Sequence, residues 1–163
     1  MGGYISLTTQ DWILSLKAMK AETAVFWRKK KSFKAVQVGE PIYFLRRGSF
    51  SSNSERYIVG KGLFYKHELL PANEAWIKYG TQLGFRCEQD FNEAVFKIYK
   101  ERNPELGCLQ IGKVQFYETP ISLMDAKIDF SPYIVSGKKM SIEECNRIDS
   151  LEMEVQSGTK KTN

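Results

Sequence analysis

Histidine is nearly absent from this chain: His67 is the only one in 163 residues. A catalytic triad, a zinc hydrolase or an HNH nuclease needs a well-placed imidazole, and the HNH type needs more than one. His67 falls between a basic strand end and an apolar run, which fits a surface or capping role better than catalysis. Cysteine is scarce as well. Cys87, Cys108 and Cys145 are odd in number, widely spaced and without a C-x-x-C pair. That pattern argues against a disulfide framework and against a zinc site, so no metal or other cofactor is expected and the expected compartment is the reducing cytosol. No apolar run approaches the roughly 20 residues that span a bilayer. Met1–Leu16 also lacks the basic start, apolar middle and small-residue cleavage site of a signal peptide. No internal repeat is visible.

What the chain does have is a concentrated positive charge. Ala24–Lys66 carries ten Lys or Arg against two acids, Glu40 and Glu55, a net +8 in a chain whose total is +5. The remainder is therefore net acidic. Aromatic residues alternate with the basic ones: Phe26, Trp27, Phe33, Tyr43, Phe44, Phe50, Tyr57, Phe64 and Tyr65. A local positive field mixed with flat apolar side chains suits a polyanion that also offers something to stack on.

Length and a mean hydropathy of −0.38 fit one soluble domain, over residues 1–155, followed by a polar, disordered tail at 156–163. Thr8-Thr9-Gln10-Asp11 reads as a capping box that opens a helix ending near Lys20. Strands are expected at Ala24–Trp27, Ile42–Leu45, Tyr57–Tyr65, Leu106–Tyr117 and Tyr133–Val135, with a polar loop at Gly48–Ser54. Gly60 and Gly62 inside a strand imply a bulge or a close approach of another backbone. Pro71 opens a helix that Gly80 stops. Further helices are expected over Glu88–Lys100 and Ile142–Met153. Strands and helices without strict alternation indicate an α+β fold: a curved, mostly antiparallel sheet or partial β-barrel flanked by three to four helices.

Several segments then form a familiar series: Val25-Phe26-Trp27-Arg28, Val38-Gly39-Glu40-Pro41-Ile42-Tyr43-Phe44, Tyr57-Ile58-Val59-Gly60-Lys61-Gly62-Leu63-Phe64, Leu70-Pro71-Ala72-Asn73-Glu74-Ala75-Trp76-Ile77-Lys78-Tyr79-Gly80, Leu106-Gly107-Cys108-Leu109 and Ile134-Val135-Ser136-Gly137-Lys138. In this order and at these intervals they resemble the sulfur-binding domain that precedes the nuclease domain of phosphorothioate-dependent HNH restriction endonucleases. The resemblance implies a reader of double-stranded DNA whose backbone carries sulfur in place of a non-bridging phosphate oxygen. It implies binding without cutting, with cleavage left to a separate HNH domain, as the targeting module of a restriction system against foreign DNA.

The same resemblance places the sulfur in a small apolar pocket of Leu70, Pro71, Ala72 and Ala75, above a helix N-terminus whose free N–H groups favour an anion. Arg28, Arg46 and Arg47 are the candidates for phosphate or base-edge contact. Lys31, with Lys29 and Lys30, adds non-specific attraction. Ser136, Gly137, Lys138 and Lys139 form a turn able to donate to phosphates. Asn73 either meets DNA or caps the helix, Tyr133 is a further contact candidate, and Trp27 and Trp76 belong to the core. Two other readings remain. One is a reader of modified bases or RNA, which would use the aromatic richness. The other is a divergent metal-dependent nuclease resting on Glu118, Asp125 and Lys127.

Overall fold

The computed structural model describes residues 2–29, 32–46, 56–131 and 136–161, with side chains through 156. Within these residues the strands are β1 (Gly3–Thr8), β2 (Ala24–Arg28), β3 (Pro41–Arg46), β4 (Tyr57–Pro71), β5 (Glu105–Ser122) and β6 (Gly137–Met140). The helices are α1 (Gln10–Ala18), α2 (Ala72–Tyr79), α3 (Glu88–Tyr99), α4 (Leu123–Ala126) and α5 (Ile142–Lys161). One sheet holds all six strands in the order β2-β5-β4-β3-β1-β6. Only β1 and β3 run parallel; every other pair is antiparallel. This is the expected α+β architecture around an open, curled sheet. It has five helices rather than three to four, of which α4 is a single turn.

Strand β3 shows why the sheet needs layers on both sides. Ile42 and Phe44 point into the curl, where they meet Trp12, Leu16, Val59, Phe64 and Ile111. Tyr43 and Leu45 point the other way and pack with Ile5, Ile58, Phe130 and Ile148 under α4 and α5. A period of two with apolar residues at every position is the mark of a strand buried on both faces. A third cluster, with Val25, Ala72, Ala75, Phe91 and Cys108, lies under α2 and α3. The Tyr43 hydroxyl donates to Asp149 at 2.8 Å and Lys61 pairs with the same carboxylate at 3.1 Å, which fastens α5 to the sheet.

Local chemistry sets the element boundaries. Thr9, not Thr8, caps α1: its Oγ1 accepts from the Trp12 N–H at 3.2 Å. Thr8 instead ends β1 and its hydroxyl donates to the Leu45 carbonyl at 3.0 Å. At Gly60 a Cβ would stand 2.4 Å from the Gln115 oxygen, and at Gly62 one would stand 2.3 Å from Ile111 Cγ2. The β4–β5 pairing slips between Ile58 and Gly60 and again between Lys61 and Leu63, so the bulged close approach expected of these glycines is present. Gly80 stops α2 at φ 52°, as expected. Helix α5 runs on to Lys161, into the segment expected to be a disordered tail. His67 lies inside β4, half-buried, and caps nothing. The loop expected at Gly48–Ser54 and the strand expected at Tyr133–Val135 lie outside the described residues.

Helix α2 is tied to β4 through Glu68. Lys78 Nζ lies 2.6 Å from its carboxylate and Lys66 Nζ 3.3 Å away, and the Tyr79 hydroxyl also donates to it. Burial alone would raise this carboxyl, but the hydrogen bonds from Lys78, Tyr79 and Lys66 outweigh it and hold Glu68 down at about 2. A depressed carboxyl stabilises the fold above the unfolded value of 4.5, and that stabilisation disappears as pH falls from there toward 2. Urea unfolding of the native chain and Glu68→Gln across this window checks the sign. The native chain is expected to be the more stable near neutrality, and the gap is expected to close on acidification. A gap independent of pH would remove Glu68 from the account.

Candidate nucleic-acid interface

A groove of about 1060 Å³ runs between α1 on one side and α3 with residues 84–86 on the other, with β2 between them. Strand β2 supplies Phe26, Trp27 and Arg28, with Lys29 just past its end; the segment before α3 supplies Phe85 and Arg86, and α3 supplies Lys97 and Tyr99. Four cations thus line it against two acids, Asp11 and Asp90. A second concavity of about 880 Å³ lies between the head of α2 and the far side of α3. Its Lys97, Lys100 and Arg102 are balanced by Glu88, Glu93 and Glu101, so the first groove is the one whose charge attracts a polyanion.

The wall of the first groove is aromatic and rigid. Trp12 and Phe26 stack with centroids 4.2 Å apart, and Phe44 meets both edge-on from beneath. Gly84, at φ 94°, lies against the indole edge: a Cβ there would come within 2.3 Å of Trp12 Cδ1. Among the described residues the buried Trp12 indole N–H has no hydrogen-bond partner, and neither has the Tyr99 hydroxyl. Burial pushes that hydroxyl up to about 12, so it remains a donor at any physiological pH. Lys29 Nζ sits 5.9 Å from the centre of the Tyr99 ring, and the Arg28 guanidinium lies 5.2 Å over Phe33. Cations held on aromatic faces keep their charge while their long stems are ordered.

Of the residues singled out in the sequence, Arg28 lies in this groove, and so does Lys29, which was assigned only non-specific attraction. Trp27 does pack on the core, against Phe91 at 5.7 Å, yet it also lines the groove. Trp76 stacks on Phe91, as expected of a core residue. Arg46 ends β3 one strand from Thr8, at the far end of the groove, with its guanidinium 5.4 Å over Tyr57. Lys30, Lys31, Arg47 and Tyr133 lie outside the described residues.

The expected sulfur pocket needs correction. Ala72 and Ala75 are 2% and 0% exposed and face the core, while only Leu70 and Pro71 remain half-exposed. The head of α2 is also not a set of free donors. The N–H of Ala72 donates to the Pro104 carbonyl, that of Asn73 to Asn103 Oδ1 and that of Glu74 to Asn73 Oδ1. Asn73 itself lies inside α2, exposed, and α2 has no side-chain cap from its own N-cap residue Pro71. Nor do Ser136, Gly137, Lys138 and Lys139 form a turn. Gly137–Met140 is β6, the Ser136 carbonyl accepts from Leu7, and Lys138 pairs with Glu144 at 3.6 Å. Lys139 alone of the four is exposed.

Sequence reasoning missed Arg86, Lys97, Phe85 and Tyr99. A signal for two of them was present: Phe85-Arg86 repeats the aromatic-then-basic pair Trp27-Arg28, outside the segment where charge density drew attention.

No protein-family model matches the chain, and no curated protein matches it. Solved structures do. The chain is similar to ASCH from Zymomonas mobilis (TM-score 0.64, 17% identity, 90% of this chain and 94% of that one). It is also similar to human THYN1 in complex with DNA containing 5-methylcytosine (TM-score 0.53, 16% identity, 93% and 98%). A third match is PSPTO5229 from Pseudomonas syringae (TM-score 0.53, 16% identity, 91% and 98%). At these identities the likeness establishes the fold, that of the ASCH structures.

Proposed function

We propose that this chain is a nucleic-acid reader that binds chemically modified DNA and does not cut it. The observation that carries the reading is the groove itself, with four cations and a wall of aromatic rings on a rigid β-strand. Phosphates supply most of the attraction in such a site and flat rings supply stacking. A protein of the same fold, human THYN1, is known in complex with DNA containing 5-methylcytosine.

Backbone sulfur is the modification that the sequence resemblance names, and the chain then serves as the targeting part of a restriction system, with an HNH nuclease as its partner. Sulfur keeps the phosphate charge but is larger and a poorer hydrogen-bond acceptor. Against the half-exposed Leu70 and Pro71 it loses little, whereas an ordinary oxygen loses water at a cost of roughly 1–3 kcal/mol. The aromatic wall favours a second reading, in which the groove takes a modified base.

Fluorescence polarisation of matched duplexes decides among these. One duplex is ordinary, one carries a single phosphorothioate of defined stereochemistry and one carries 5-methylcytosine. Tightest binding to the sulfur duplex supports the first reading, and tightest binding to the methylated duplex supports the second. No binding to any of them sinks the proposal. Pro71→Gly is expected to reduce preference for sulfur about tenfold while changing affinity for the ordinary duplex about twofold or less. Equal loss on both duplexes would take the sulfur contact away from Pro71.

A further inference from the structure

The only histidine has no part in the site described so far, yet the sheet places it beside the groove. His67 pairs with Leu109 in β5, and Leu109 pairs in turn with Phe26 in β2. Residues paired across strands share a face, and so do residues two apart on one strand. His67, Leu109, Phe26 and Arg28 therefore project to the same side. The residue paired with Arg28 is Gly107, which has no side chain to place beside the guanidinium. One ring lies between Arg28 and His67: Phe33 is 5.2 Å from Arg28 Cζ and 6.5 Å from the His67 ring, and it is edge-on to Tyr4 and Phe64.

The His67 Nε2 atom is buried and, among the described residues, without a hydrogen-bond partner. A second cation at this position, next to Arg28 and with nothing to accept its proton, is costly while the groove is empty. Burial first, and the Arg28 charge second, hold His67 below the usual histidine value. Among the described residues the other charge that acts on it is Glu68, which opposes the shift. Glu68 is the neighbour on the same strand, directed to the opposite face and already engaged by Lys66 and Lys78. Against His67 itself, β5 presents Leu109 and the 32–40 segment presents Phe33, both uncharged.

We infer that occupation of the groove by a polyanion and protonation of His67 favour each other, so that nucleic acid is held more tightly as the medium turns acidic. This rests on the nucleic-acid reading of the groove. A phosphate on Arg28 offsets the guanidinium charge and makes the imidazolium less costly. Linkage then requires that a ligand which eases protonation is itself bound better by the protonated protein. One proton is involved, so the effect is limited to about tenfold in affinity per pH unit.

Because His67 is the only histidine, its imidazole C–H protons give a single set of NMR signals in the intact chain. Their titration, without and with a short ordinary DNA duplex at constant ionic strength, tests the inference on the unaltered protein. The midpoint is expected to rise by about one pH unit when DNA is bound. In parallel, polarisation at about pH 7.5, 6.5 and 5.5 is expected to give about fivefold tighter binding at the lowest pH, with most of that gain lost in a folded His67→Gln variant. A midpoint that DNA does not move, or equal pH dependence in the two proteins, overturns the linkage and leaves DNA binding standing. Absence of DNA binding at every pH would instead overturn the reading on which the linkage rests.

Discussion

DNA binding is expected to weaken about 150-fold when salt rises from about 50 to about 200 mM. The figure follows from four cations in the groove, Arg28, Lys29, Arg86 and Lys97, each neutralising one phosphate. Every neutralised phosphate releases counterions and contributes about −0.9 to the slope of log affinity against log salt, so four give a slope of about −3.6. Arg28→Ala and Arg86→Ala are each expected to flatten the slope by about 0.9 and to lower affinity for every duplex alike. A native slope near zero would mean that DNA is not held in the groove. A normal slope unchanged by either substitution would place the phosphates elsewhere on the surface.

The largest effect on stability is expected from Phe44→Ala. Phe44 has no exposed surface, and its ring meets Trp12 at 5.4 Å, Phe26 at 5.7 Å and Phe116 at 5.8 Å. Removing a buried phenyl ring costs about 3–5 kcal/mol, in transfer energy plus the cavity left behind. Against a typical total of about 5–15 kcal/mol, that is enough to bring the chain near unfolding at body temperature. Urea denaturation at constant m-value measures it. The loss also reaches function, because Phe44 supports the Trp12–Phe26 stack from the side away from the groove. A cost below about 1 kcal/mol would show that these rings do not pack as one unit.

Much of the fold was legible, and the failures have physical causes. The glycines at 60 and 62 announced a close approach because no other residue fits there, and Pro71 and Gly80 bounded α2 correctly. Strand β1 was missed. It is six residues long and runs straight into a helix start, and its parallel partner β3 lies more than thirty residues away, so no local signal marks it.

The charge of the basic segment overstated its free field. Arg56 is 7% exposed, with its guanidinium 5.4 Å over Phe130; Lys61 pairs with Asp149 and Glu152, and Lys66 pairs with Glu68. Ion pairs between residues far apart in the chain cannot be read from local charge density. Ala72 and Ala75 failed for a different reason. Small apolar residues near a helix start look alike whether they face water or the core. Here Ala72, Ala75 and Tyr79 form one buried stripe at helical spacing.

The position of β1 has a consequence for how the molecule comes into being. Residues 3–8 are made well before 137–140, yet one flank of that strand is covered by β3 and the other by β6, at 137–140. The growing chain must therefore carry one flank of β1 unpaired until β6 has been made. Closing so long a loop is slow, and the waiting edge is open to pairing with another chain. Crowding of nascent chains on one message is thus a hazard built into this topology, and the yield of folded protein should depend on how fast it is translated.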